Sequence, residues 1–154
     1  MADHKLAAGP HNSPGYWLYH ASLSWVAAVT TRLREVGLTQ PQFMVLASAG
    51  WLSRTGDQPT QQAIADHAGV DRMLASRLLR RLTDQGLLER QPDPADARAI
   101  RITVTARGRE VTRRAVDAVR TVDDTVFGPD PATVRDLLMD IDTRCRHTRV
   151  VEVG

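Results

Sequence analysis

The stretch that most constrains this chain runs from Thr60 to Gly86, where two short amphipathic helices are joined around one glycine. Thr60 follows Pro59 as an N-cap, and Ile64, Ala65 and Ala68 then recur at helical spacing. Gly69 comes four residues after Ala65, where a tight turn between helices needs a residue that tolerates positive φ. Small Ala65 lets the next helix cross closely. Asp71 caps that helix, which the pattern predicts from Arg72 to about Gln85, with Gly86 ending it.

The second helix separates into faces. Ala75, Leu78, Leu79 and Leu82 form an apolar stripe that must lie on the body. Arg72, Ser76 and Arg80 recur every four residues on another face, with Met73 and Arg77 beside them and no acid among them. Such a helix is about 22 Å long and fits a B-DNA major groove. There an arginine reads guanine O6 and N7 bidentately, and Ser76 reaches a phosphate or a base edge. Past Gly86 the period changes. Leu87–Gln91 and Ala99–Val104 alternate apolar and polar residues as paired strands do, around the turn-rich segment Pro92–Arg98. A helix-turn-helix followed by a hairpin is a winged helix, and its wing presents Arg98 to the adjacent minor groove or backbone.

Charge placement supports that assignment. From Asp71 to Arg114 there are eleven arginines against six acids, a local balance of +5, while the whole chain carries only +2. The remainder is therefore at −3, and positive charge gathers on the reading-head half, as a nucleic-acid footprint does. The arginine-for-lysine preference itself reflects codon bias more than function. With 154 residues the chain has room for one domain with an adequate core. No run approaches eighteen apolar residues and the N-terminus has no apolar signal segment, so no membrane partner and a cytoplasmic location are expected.

The flanks read as helices. Residues 1–12, with Gly9-Pro10, read as a mobile arm; Ser13-Pro14 then starts a helix to about Val36, with Leu18, Trp25, Val29, Leu33 and Val36 as its stripe and Trp17, Ala21 and Ala28 on a second side. Thr39-Gln40-Pro41 starts the next, carrying Phe43, Val45, Leu46 and Ala49. Thr105 caps a long helix to about Val126. A last one, about Ala132 to Thr148, is expected to bury Val134, Leu137, Leu138, Ile141 and Cys145. Terminal helices with such broad apolar faces need two partners each, which suggests a dimerisation platform.

The run from Leu38 to Gly108 resembles the MarR family of bacterial transcription regulators. The resemblance lies in Leu38-Thr39-Gln40-Pro41-Gln42-Phe43, Gln62-Ala63-Ile64-Ala65, Arg77-Leu78-Leu79-Arg80-Arg81-Leu82 and Gly86-Leu87-Leu88-Glu89-Arg90. It continues through Asp93, Asp96-Ala97-Arg98 and Thr103-Val104-Thr105-Ala106-Arg107-Gly108. The order and spacing of these pieces, rather than any one of them, make it specific. It implies a mainly α fold with a small β-hairpin, a winged helix-turn-helix head on a helical dimerisation platform. Residues 1–154 would form one domain, with 1–36 and 127–154 as dimerisation helices, 38–104 as the head and 105–126 as the linking helix.

The resemblance further implies a homodimeric repressor on an inverted-repeat operator of double-stranded DNA. Its contact set is Thr60, Gln61, Arg72, Met73, Ser76, Arg77, Arg80 and Arg98, with Asp96 supporting the wing; Pro92 and Pro94 depart from the pattern and stiffen it. Family members often bind small aromatic or phenolic effectors where the first helix meets the head. Trp17, His20, Ser24 and Trp51 are either such a pocket or ordinary core. Cys145 raises an alternative, a cysteine-based redox-sensing regulator, but hydroperoxide-sensing relatives keep their cysteine near the N-terminal helix, and Cys145 sits on an apolar stripe where a buried thiol is inert. No histidines have tight metal-ligand spacing, and no phosphate loop or nucleophile motif is present, so no metal, cofactor or enzymatic activity is expected. The unlike alternative is a winged helix used as a protein-interaction module without specific DNA binding. It predicts an acidic or apolar second helix, and this one is basic.

Overall fold

The computed structural model describes residues 9–56, 58–96 and 100–151, with the side chains of 149–151 excepted. After a single 3-10 turn, Pro10–Asn12, the order is α1 (Pro14–Glu35), α2 (Gln40–Thr55), α3 (Gln61–Ala68), α4 (Arg72–Asp84), β1 (Leu88–Pro92), β2 (Ile100–Val104), α5 (Ala106–Val126) and α6 (Pro131–Val151). The fold is mainly α with one two-stranded antiparallel hairpin.

Helix starts are set by side chains that accept otherwise orphaned amide protons. Ser13 accepts from Tyr16, Thr60 from Ala63 and Asp71 from Leu74. Thr39 and Gln42 form a reciprocal capping box. Thr105 Oγ1 accepts from the Gly108 amide at 2.9 Å, and Asp130 Oδ1 from the Thr133 amide at 3.2 Å. The Asp130 cap starts α6 at Pro131, a residue earlier than the apolar pattern indicates. Gly69, at φ +66, closes α3 and turns the chain into α4, with Val70 N–H bonded back to the Ala65 carbonyl.

The chain divides into two compact units, Met1–Val119 and Arg120–Gly154, with the division inside α5. In the first unit, Val29 and Leu33 of α1, Val45, Leu46 and Ala49 of α2, Ile64 and Ala65 of α3, and Ala75, Leu79 and Leu82 of α4 form the core with Leu88 and Ile102 of the hairpin. Leu78 is only half-buried, and the stripe of α4 is narrower than its sequence indicates. Only the C-terminal half of α1 is buried; Trp17, Leu18, Tyr19 and Leu23 are exposed. The hairpin pairs Leu88 with Val104 and Pro92 with Ile100. Its β2 strand also reaches the segment before α3, where Ile102 N–H donates to the Pro59 carbonyl and Thr60 bridges Arg101.

The second unit corrects an expectation. Leu137, Leu138 and Cys145 of α6 are exposed, and Val134 and Ile141 are only half-buried. The physical reason is supply. Within its unit this 21-residue helix has only the Arg120–Val126 end of α5 and the connecting turn to pack on. An open cleft of about 610 Å³ lies there, lined by Phe127, Pro131, Val134, Leu138 and Met139 among others. Among the described residues no helix is long and apolar enough to cross a membrane.

Candidate nucleic-acid interface

The head presents α4 by burying one side of it. Ala75, Leu79 and Leu82 are inaccessible, which fixes the rotation of the helix about its axis. At 100° per residue the direction opposite them falls between Asp84 and Arg77, with Met73 next and Arg80 and Arg81 to either side. Arg72, Met73, Arg77, Arg80 and Arg81 are all exposed. Ser76 is half-buried at the edge of this face. The line Arg72–Ser76–Arg80 read from sequence is therefore displaced; the outward centre is Met73, Arg77 and Arg80. Asp84 adds one acid at the C-terminal end of the same face.

On α1, α5 and α6 some arginines are neutralised within their own helix. Arg32, Arg113, Arg135, Arg144 and Arg146 each lie against a carboxylate one to four residues away. Arg72, Arg77, Arg80 and Arg81 have no such partner among the described residues. A solvated helix face that alternates charges satisfies itself. One that leaves four guanidiniums unneutralised is suited to an external polyanion.

The wing is braced by an ion pair that the sequence reading missed. Asp93 is buried, and its Oδ2 accepts from Arg101 Nε at 2.5 Å. Its Oδ1 accepts from the Ala95 amide at 2.8 Å, closing an Asx-type turn. Arg101 Nη1 donates across to the Gln58 carbonyl at 2.6 Å, so one side chain ties the hairpin to the segment entering α3. The Ala95 N–H, opposed by burial and helped by Arg101, lowers the Asp93 carboxyl below its ordinary value of 3.8. Asp96, assigned this supporting role from the family pattern, has an exposed side chain, and its amide lies on Asp93. A signal was present: β pairing sets Arg101 beside the strand end that Asp93 follows.

A carboxyl whose folded pKa is depressed contributes stability above its unfolded value and loses it as pH falls through the folded one. Asp93→Asn is therefore expected to melt below the wild type at neutral pH, and the gap should close as pH drops under 3.8. Melting curves over a pH series check this. A gap that does not change with pH removes the charge from the explanation.

The remaining site residues divide. Arg98 lies outside the described residues. Thr60 and Gln61 are half-buried, and the Thr60 oxygen is engaged in its cap at 3.2 Å. Trp17, His20, Ser24 and Trp51 do not form a core, for all four are exposed. Trp17 donates its indole N–H to the His11 carbonyl at 2.7 Å, and the His20 ring lies tilted against Tyr16 with centroids 4.2 Å apart, in a ring cluster that also takes in His11 and Tyr19. Among the described residues Trp51 makes no ring contact with that cluster. Cys145 is exposed, so burial gives no reason for it to be inert. His67 reaches back to α2, its Nδ1 lying 2.9 Å from the Oγ of buried Ser48.

Comparison with known proteins agrees with the geometry. A family model described as "MarR family" matches residues 36–99. The HTH-type transcriptional regulator YdcH of Bacillus subtilis is 32% identical over 127 residues, covering 82% of this chain and 86% of its own. The HTH-type transcriptional repressor Rv2887 of Mycobacterium tuberculosis is 33% identical over 113 residues, 73% of this chain and 78% of its own. Among solved structures, the repressor CouR bound to a 23-mer DNA duplex superposes with TM-score 0.74 at 27% identity, covering 88% of this chain and 94% of that one. CouR of Rhodococcus jostii bound to p-coumaroyl-CoA does so with TM-score 0.74 at 26% identity, over 86% and 94%.

Proposed function

The chain belongs to the MarR family of transcriptional regulators, and we propose that it acts in the cytoplasm as a homodimeric repressor of an inverted-repeat operator, released by a small aromatic or phenolic effector. The observation that carries the DNA-binding part is the exposed surface of α4, where Arg72, Arg77, Arg80 and Arg81 have no carboxylate partners among the described residues. Arg77 and Arg80 read base edges, Arg72 and Ser76 flank them, Thr60 and Gln61 meet the backbone, and the wing that carries Arg98 takes the neighbouring minor groove.

In this reading the terminal helices pair two copies, which accounts for the exposed apolar side chains of α1 and α6. Two-fold symmetry then sets the recognition helices in successive major grooves, roughly 34 Å apart. An effector held between platform and head changes that spacing, so the two heads no longer fit adjacent grooves. The repressor reading is supported by Rv2887, and response to a ligand by CouR, solved both on a DNA duplex and bound to p-coumaroyl-CoA.

Fluorescence anisotropy over a salt series, with DNA from the gene's own upstream region against scrambled duplex, tests this. Selective binding with a log–log slope of about −0.9 per phosphate contact is expected. Binding that ignores sequence at every salt concentration removes the operator from the reading. No binding at low salt removes the DNA.

A further inference from the structure

Met73 is the most exposed of the large apolar side chains described, at 77%. Such side chains elsewhere in the head are mostly buried or half-buried; Trp51, at 54%, is the other exception. The core does not use Met73, for Ala75, Leu79 and Leu82 already seat α4. Its position is specific. It lies in the first turn of α4, one residue after Arg72 and one helical turn before Arg77, on the outward face. No acid occurs between Arg72 and Thr83.

An apolar side chain held among unpaired arginines on a groove-reading helix has one apolar target. The floor of the major groove presents hydrogen-bond donors and acceptors from every base, but a C5-methyl group from thymine alone. Methionine is unbranched and polarisable, and it adapts to such a contact without a fixed hydrogen-bond geometry. We propose that Met73 selects thymine at one position in each operator half-site by packing its thioether on the base methyl, while Arg77 and Arg80 supply the polar readout. The proposal rests on the DNA-binding reading above and adds a chemical class of base contact to it.

The test starts from a pool of random-sequence duplexes, selected in parallel by the full-length wild type and by Met73→Ala. Because the side chain is exposed, the variant should melt with the wild type. The wild type is expected to enrich a thymine at one position per half-site that Met73→Ala no longer prefers. In fluorescent duplexes of the enriched sequence, deoxyuridine removes only the methyl group. That substitution should weaken wild-type binding about fourfold at this position, the factor implied by burying one methylene-sized group. Met73→Ala should be indifferent to it, and Met73→Leu should regain the discrimination. If Met73→Ala enriches the same motif, or keeps the deoxyuridine penalty, the inference fails and the DNA-binding reading stands. If the wild type enriches no motif, both fail together.

Discussion

Gly108→Ala is expected to lower the melting temperature, although on a helix this exchange ordinarily raises it. Replacing a helical glycine by alanine gains about 1 kcal/mol from reduced backbone freedom. Gly108 sits in the first turn of α5, however, and is buried against the preceding segment. An added Cβ would run into the Leu87 carbonyl oxygen and come within 2.9 Å of Val104 Cγ1. The oxygen belongs to the backbone and is already held: Thr105 N–H donates to it at 3.1 Å, while the Thr105 hydroxyl donates to the Gly86 carbonyl at 2.8 Å. It has little freedom to retreat. Overpacking against such an obstacle costs about 3 kcal/mol, the upper end of its usual range. The net loss of about 2 kcal/mol corresponds to a fall of roughly 4–8 °C for a chain of this length.

Gly50→Ala is the control. Gly50 is also helical, in α2, but its added Cβ would meet nothing within 4 Å. There the propensity gain is unopposed and Tm should rise by roughly 2–4 °C. Both variants must be melted at one protein concentration, because self-association adds to apparent stability. Equal shifts for the two glycines would sink the claim that Gly108 clasps the hairpin to α5.

The same pair shows what can be read from sequence. Gly69 and Gly86 are legible because a turn between helices and a helix stop each demand positive φ, and they have it at +66 and +72. Caps and hydrophobic periods are equally local, so α1, α3, α4, α5 and both strands lie within a residue or two of their sequence limits. Gly108 appears only as part of a family pattern, since its reason is a carbonyl twenty-one positions earlier. The Asp93–Arg101–Gln58 brace is hidden for a similar cause: it links residues 43 apart that no period relates. Burial of α6 fails because an apolar stripe specifies that something covers it, not that the same chain does. Rotation of α4 is the intermediate case. Its buried side is visible in sequence, but four-residue spacing alone singles out the line Arg72, Ser76 and Arg80, whereas the observed burial centres the outward side between Asp84 and Arg77.

That rotation decides where the largest loss of DNA affinity falls. The double variant Arg77→Ala/Arg80→Ala removes two guanidiniums from the centre of the outward face, and a base-reading arginine contributes about 1–3 kcal/mol. The pair should therefore weaken operator binding by about 2–6 kcal/mol, or roughly 30-fold to 10⁴-fold or more. Arg72→Ala, nearer the edge, should cost less. Because Arg77 and Arg80 are exposed and paired to no carboxylate among the described residues, their loss strands no buried charge, and the melting curve should not move. Salt dependence separates the two roles an arginine can play in a groove. Phosphate contacts release counterions, so each one lost flattens the log–log salt slope by about 0.9 and weakens operator and scrambled duplex alike. Base contacts leave most of that slope in place and instead bring operator affinity down toward the scrambled value. The outward centre at Arg77 and Arg80 calls for the second pattern. A slope that flattens with the operator preference intact would move the readout to the other residues of the face.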